Sequence, residues 1–259
     1  MKISVVTPTL NAAATLARTI ESVAAQRADY EHIIVDGGST DGTLEMVKVM
    51  ALRHPIRLVQ KIDRSIYEGV WNGFEEATGD VFAWLGADDI YFPWSLATVS
   101  EFFRLRSDID WVSGLPTWLN TETGVAHSNS FVPIYPRFMI KAGFFRPGYL
   151  GCIQQEGMFW RRDLWLENHR EIGKVIQSYK LAADYYFWRI FAKTTPLVSL
   201  STPLACFSIS PGQKSTRMLA KYIAEAKGRG QTSSGSVAGK LAFRILSYGL
   251  YLRSIRNLQ

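Results

Sequence analysis

The chain has 259 residues, 47% of them hydrophobic and 20% charged, which suits one large domain or a domain with an appendage. Its two cysteines, Cys152 and Cys206, lie far apart and fit no metal spacing. This excludes a disulfide-rich secreted scaffold and reads as two incidental thiols in a reducing compartment. No apolar run reaches the roughly 18 residues of a membrane span, and Met1-Lys2 leads straight into a strand, so a cytoplasmic chain without a leader is expected. The net charge of +6 sits mainly toward the C-terminus and suits anionic lipid, nucleic acid or nucleotide phosphates.

In chain order, Ile3 to Thr7 has the pattern of a short buried strand, broken at Pro8 to Asn11. Ala12 to Arg27 predicts a helix, with Leu16, Ile20 and Val23 on one face. Glu31 to Val35 is a second strand, and Asp36 to Thr43 a loop dense in turn formers, with Thr40 or Asp41 capping a helix to about Arg53. Ile56 to Gln60 is a third strand, Asp63 to Gly69 a loop, and Val70 to Ala77 a short helix. Val81 to Leu85 is a fourth, buried strand that runs into Gly86, Ala87, Asp88 and Asp89. Strands alternating with helices indicate parallel βαβ units, in which ligands bind beyond the carboxyl ends of the strands. Thr7 to Asn11, Asp36 to Thr43, Asp63 to Tyr67 and Asp88-Asp89 all fall at such ends.

Adjacent carboxylates after a buried strand repel each other and lose hydration, at several kcal/mol per ion unless a partner compensates. A divalent cation carrying phosphate oxygens is one such partner, because Mg²⁺ is usually held by one or two carboxylates plus substrate phosphates. A solvated loop capping the next helix is the plainer alternative. The Asp36 to Thr43 loop is neither a P-loop nor a dinucleotide fingerprint, which disfavours a kinase-like NTPase or a dehydrogenase.

Pro93 to Arg106 predicts a helix and Trp111 to Gly114 a strand. Thr121 to Gly124 suggests a hairpin turn inside a stretch punctuated by Pro133, Pro136 and Pro147. Gln154 to Trp160 reads as a strand running into a helix over Arg161 to Asn168. Asp184 opens an apolar helix, where it suits an N-cap or, beside an acceptor hydroxyl in a cleft, a general base. Leu197 to Leu200 and Leu204 to Ile209 read as strands and Pro211 to Ser215 as a polar loop. The composition then shifts. Gly228 to Gly235 reads as a linker, and Val237 to Leu258 as a basic amphipathic helix that suits either a membrane surface or docking on its own domain or a partner.

Over residues 3 to about 215 the chain resembles a family 2 inverting glycosyltransferase of the GT-A fold, of the bacterial polysaccharide-biosynthesis type. VVTPTLN and VDGGSTDGT resemble its nucleotide loops, and DRSIYEGVWNGFEEATGDVFAWLGADD its run from the third strand to the DXD-type motif. QQEGMFWRRDLW is similar to its acceptor-side segment, AADYYFW to the helix start bearing its catalytic base, and FSISPGQKS to its closing loop. The resemblance implies an α/β fold with a mostly parallel central sheet flanked by helices over 1–215, and the composition shift beyond it reads as a basic helical extension over 216–259. It also implies a nucleotide-sugar donor, Mn²⁺ or Mg²⁺, and a glycan or lipid-linked acceptor at the cytoplasmic membrane face. Peripheral membrane association through 237–258 is one of the two readings of that basic amphipathic pattern, and aromatic residues that do not interleave with Lys/Arg argue against nucleic acid.

By the same resemblance Thr7, Pro8 and Asn11 line the nucleotide pocket and Asp36 sits near base and ribose. Asp63 and Tyr67 wall the nucleoside, and Asn72 braces that loop. Asp88 contacts ribose or metal, Asp89 is the direct metal ligand, Asp184 is the general base, and Lys214 approaches the diphosphate. The pattern departs twice. Gly37 stands where many relatives have a second Asp against the nucleobase, and Gln155-Glu156 where close relatives often have His-Gln on the acceptor side. These departures motivate a non-catalytic scaffold subunit of the same fold as the alternative. A nucleotidyltransferase is the runner-up enzyme, but Thr7 to Asn11 lacks the Gly-rich, basic loop that holds a triphosphate.

Overall fold

The computed structural model describes residues 1–211 and 213–227, the side chain of Lys214 excepted. The expected helix over 237–258 lies outside the described residues. β1 (Ile3–Thr9), β2 (Tyr30–Asp36), β3 (Ile56–Gln60) and β4 (Val81–Trp84) alternate with α1 (Leu16–Ala24), α2 (Thr43–Met50) and α3 (Ile66–Glu75). After β5 (Ile90–Tyr91) come α4 (Ser95–Leu105), β6 (Trp111–Ser113), the hairpin β7 (Thr117–Asn120) and β8 (Ala126–Ser128), and α5 (Arg137–Lys141). The chain continues through β9 (Met158–Arg161), α6 (Arg162–Ser178), α7 (Ala183–Phe191), β10 (Val198–Ser199), β11 (Ala205–Ile209), α8 (Lys214–Arg217) and α9 (Leu219–Lys227).

Seven strands form a central sheet in the order β10-β6-β9-β4-β1-β2-β3. It is parallel apart from β9, which runs antiparallel to both β4 and β6. The strands are apolar on both faces because helices cover both. Val6, Ile33, Val35, Phe82 and Trp84 pack toward α3, α6 and α7. Their neighbours along the strands, Ile3, Val5, Val81 and Ala83, pack toward α4 and the end of α1, while Ile34 meets α1 and α2. β1 lies between β2 and β4, so the strand order reverses there and opens a crevice at the carboxyl edge. A second sheet, β5-β11-β7-β8, lies beyond that edge.

Among the elements that differ from expectation, three bear on the site. The helix after the third strand begins at Ile66, not Val70, because Ser65 Oγ accepts the Glu68 N–H at 3.2 Å while Glu68 reaches back to the Arg64 N–H at 2.7 Å. This places Tyr67 on a helix. α6 runs ten residues past Asn168, since Ile172 and Ile176 continue the buried stripe of Leu164 and Trp165 beyond a polar stretch. The chain past residue 215 also keeps packing on the domain, with Ala226 of α9 buried against Ala182 and Tyr185.

Candidate active site

The strand register aligns the site. Thr9 pairs with Asp36, and Asp36 with Gln60, so the loops after β1, β2 and β3 leave the sheet side by side. Asn11, with a left-handed backbone (φ +53°), links two of them. Its Oδ1 accepts the Thr40 N–H at 2.8 Å and its N–H donates to Ser39 Oγ at 2.9 Å. Asp36 is buried; its Oδ2 accepts the Gly38 and Ser39 N–H groups at 3.1 Å, while its Oδ1 has no hydrogen-bond partner. A buried acceptor left unpaired costs about 1–3 kcal/mol, which a ligand donor would offset. Pro8 faces α3, where a Cβ on Gly69 would lie 2.9 Å from Pro8 Cβ.

The Thr7 side chain points inward: it is fully buried and its hydroxyl pairs with His32 Nε2 at 2.9 Å. Burial drives the His32 pKa down to about 3, so the pair is neutral. Asn72 is buried within α3.

The turn after β4 is pinned from α1 and β11. Arg18 Nη2 donates to the Asp88 carbonyl at 2.9 Å and to Ser208 Oγ at 3.0 Å, and Thr19 Oγ1 donates to the Asp89 carbonyl at 2.7 Å. Asp89 is 3% exposed and its Oδ1 accepts the Ser208 N–H at 2.8 Å. Gly86 has no side chain because the Asp89 carboxylate fills the space a Cβ would take. Asp88 is less buried.

Asp184 stands in the first turn of α7, whose N-cap residue Ala182 provides no side-chain bond. Two phenols donate to Asp184 Oδ1, Tyr67 from α3 and Tyr222 from α9, each at 3.0 Å. The same Tyr67 proton is shared with the Leu181 carbonyl at 2.7 Å, so the hydroxyl lies within this network. Burial raises the Asp184 pKa to about 6, and the two phenols, whose own pKa values are raised, oppose part of that rise.

Glu156 connects the two groups. It is buried, its Oε2 has no partner, and burial together with the charges of Asp184 and Asp88 pushes its pKa up to about 8. Burial and neighbouring carboxylates likewise hold Asp89 well above the ordinary range, and burial raises Asp88, while Arg18 counters both. Gln155 braces this wall, its Nε2 donating to the Trp84 carbonyl at 2.7 Å. The Lys214 side chain lies outside the described residues.

Among the described residues no group of three or more His, Cys, Asp or Glu is arranged to hold a metal ion. The carboxylates do fit a hard cation that takes one or two of them and completes its shell with ligand oxygens. Their raised pKa values and the orphaned Glu156 Oε2 describe an acidic cluster short of positive charge.

Residues 4–169 match the family model described as glycosyl transferase family 2. The chain belongs to glycosyl transferase family 2. A PGL/p-HBAD biosynthesis glycosyltransferase of Mycobacterium tuberculosis is 33% identical over 164 residues, covering 61% of this chain and 64% of that relative. The dolichol-phosphate mannosyltransferase of Pyrococcus furiosus is 31% identical over 112 residues, 42% of this chain and 32% of its own length. This family 2 chain therefore spans less than two thirds of these curated relatives. Its fold is shared with S. aureus TarS 1-349 in complex with UDP-GlcNAc (TM-score 0.64, 18% identity, 90% of this chain and 68% of that one). It is shared too with the mannosyltransferase PcManGT of Pyrobaculum calidifontis in complex with GDP-Man and Mn²⁺ (TM-score 0.59, 16% identity, 89% and 65%). These likenesses bear out the GT-A α/β fold.

Sequence reasoning missed Tyr222, Arg18 and Ser208. Arg18 is recognisable, with Thr19, as one of two polar residues between Leu16 and Ile20 on α1. Tyr222 carries no local signal, because only the docking of α9 brings it to Asp184.

Proposed function

We propose that this chain transfers a sugar from a nucleoside-diphosphate donor to a hydroxyl of a glycan or lipid-linked acceptor, with inversion and with Asp184 as general base. The observation that carries this reading is the pairing of Asp184 with Tyr67 and Tyr222 in a site where its pKa rises to about 6. A base of that kind is ionised at neutral pH yet basic enough to take a hydroxyl proton. The phenols donate to Oδ1 and orient the carboxylate. As the acceptor oxygen attacks the anomeric carbon from one face, its proton passes to Asp184 and the bond to the diphosphate breaks on the other. Bound Mn²⁺ or Mg²⁺ would supply Lewis-acid stabilisation of the charge that develops on the leaving diphosphate.

Asp88, the more open acid of the turn, is the first candidate to hold that ion, with Asp89 behind it. The unpaired Asp36 Oδ1 is a donor-side acceptor for a nucleoside N–H or O–H. Glu156, between the metal side and the base, suits the wall where donor sugar and acceptor meet. No helix among the described residues is long and apolar enough to cross a membrane. For a lipid-linked acceptor, the basic 237–258 segment is the part of the chain suited to the membrane face.

A thermal-shift screen of UDP-, GDP-, dTDP- and CMP-sugars with and without Mn²⁺ tests the reading, since a ligand that binds only the native state raises its apparent stability. A metal-dependent shift with one nucleotide class is expected. No shift with any donor would count against it.

A further inference from the structure

α9 closes over the segment that delivers Asp184. The N–H groups of Lys180, Leu181 and Ala182 all point to one oxygen, Glu225 Oε2, at 3.1, 2.8 and 3.1 Å. Tyr186 of α7 donates back to the Glu225 carbonyl at 3.0 Å. One turn earlier on α9, Tyr222 donates to Asp184 Oδ1 at 3.0 Å. Successive N–H groups converging on an anion form a nest, and negative charge beside a helix N-terminus is favoured by the helix dipole. Glu225 thus supplies from another helix the anchor that Ala182 cannot give the start of α7.

We propose that Glu225 and Tyr222 are positioning residues for transfer: Glu225 fixes the backbone from which Asp184 projects, and Tyr222 sets the orientation of its carboxylate. The proposal rests on the reading of Asp184 as base. Tyr67 holds Asp184 from α3, so the two phenols fix the same oxygen from two helices. The other titratable groups facing it are the Cys152 thiol and Glu156, both from the segment before β9. A packing role for α9 alone would show in stability. A positioning role has a second signature, because a hydrogen bond to the charged form of Asp184 favours that form and its loss raises the pKa.

The test uses the full chain and three variants, Tyr222→Phe, Glu225→Gln and Asp184→Asn. The Asp184 carboxyl is titrated by ¹³C NMR. Turnover is read as nucleoside diphosphate released from UDP- and GDP-sugars with Mn²⁺ across pH, and UDP and GDP binding is measured by calorimetry. Tyr222→Phe is expected to raise the Asp184 midpoint and to move the acid limb of kcat the same way, by roughly half a unit to one unit, with donor KM within about twofold. Glu225→Gln keeps the shape, weakens charge-assisted bonds to neutral ones, and is expected to lower kcat about tenfold with nucleotide binding intact. An unmoved midpoint in Tyr222→Phe, with Asp184→Asn inactive, overturns the positioning proposal alone. Wild-type turnover in Asp184→Asn removes the base reading and this proposal with it.

Discussion

The carboxylate of Asp63 occupies the space beside Gly37: a Cβ on Gly37 would lie 2.7 Å from Asp63 Oδ2 and 2.9 Å from its Cγ. The same carboxylate closes on Gly69, where a Cβ would lie 2.9 Å from Oδ2. Asp63, arriving from the loop after β3, therefore fills the space that a side chain at position 37 would need. Gly37→Asp would overlap Asp63 and set two carboxylates against each other. Overpacking of this kind costs about 1–3 kcal/mol, so the melting temperature should fall and calorimetric affinity for nucleoside diphosphate should weaken. Adding Asp63→Ala to that variant should recover part of both losses. Strictly additive losses would mean that the two positions do not exchange roles.

Asp184→Asn should lower kcat by roughly 10²–10⁴-fold, the range for a general base, while nucleotide binding stays near wild type. In the wild type the acid limb of kcat should fall near pH 6, where Asp184 takes up a proton and stops accepting one from the acceptor. A limb near pH 4 would mean that positive charge or hydrogen bonds in the substrate complex offset the desolvation that raises this carboxyl.

How far the sequence reaches can be judged from these residues. Asp36, Asp63, Asp88-Asp89 and Asp184 stand out because each follows a strand or opens a helix, where local pattern locates it. Thr7 has the same local credentials, yet it points inward, since alternation along β1 and the buried His32 decide its direction. The pattern from Asp63 to Gly69 predicts a loop at Tyr67, because the Ser65-to-Glu68 capping arrangement is a short signal between those turn formers. Tyr222 and Glu225 act through α9, whose docking depends on contacts about 40 residues distant in the chain. An end to the domain at residue 215 followed from composition, which says nothing of such contacts.

Glu156→Gln should stabilise the metal-free protein as pH rises. Burial lifts the Glu156 pKa from 4.5 to about 8, so the folded chain keeps a proton that the unfolded chain has lost. Wild-type stability therefore declines through the window from about pH 4.5 to 8, by at most about 1.4 kcal/mol per unit, and levels off above it. The variant lacks this decline. Its melting temperature should match wild type near pH 5 and exceed it at pH 8. Mn²⁺ together with nucleoside diphosphate should narrow the difference, because added positive charge favours ionised Glu156. Equal melting temperatures at pH 8 would show that Glu156 is already compensated in the free protein.

Asp88 and Asp89 should separate in their effects. Asp89 Oδ1 holds the Ser208 N–H at 2.8 Å, tying the turn after β4 to β11. Asp89→Ala leaves that buried N–H unpaired, at about 1–3 kcal/mol, and opens a void beside Gly86. Its melting temperature should drop even without metal or nucleotide. Asp88 is less buried, and its carbonyl rather than its carboxylate is what Arg18 holds. Asp88→Ala should leave the free protein at or above wild-type stability, since it removes a carboxylate from a repulsive cluster, and should abolish Mn²⁺-dependent nucleotide binding. Mn²⁺-dependent binding that survives Asp88→Ala, in a chain where Asp89→Ala melts like wild type, would assign the ion to Asp89 instead.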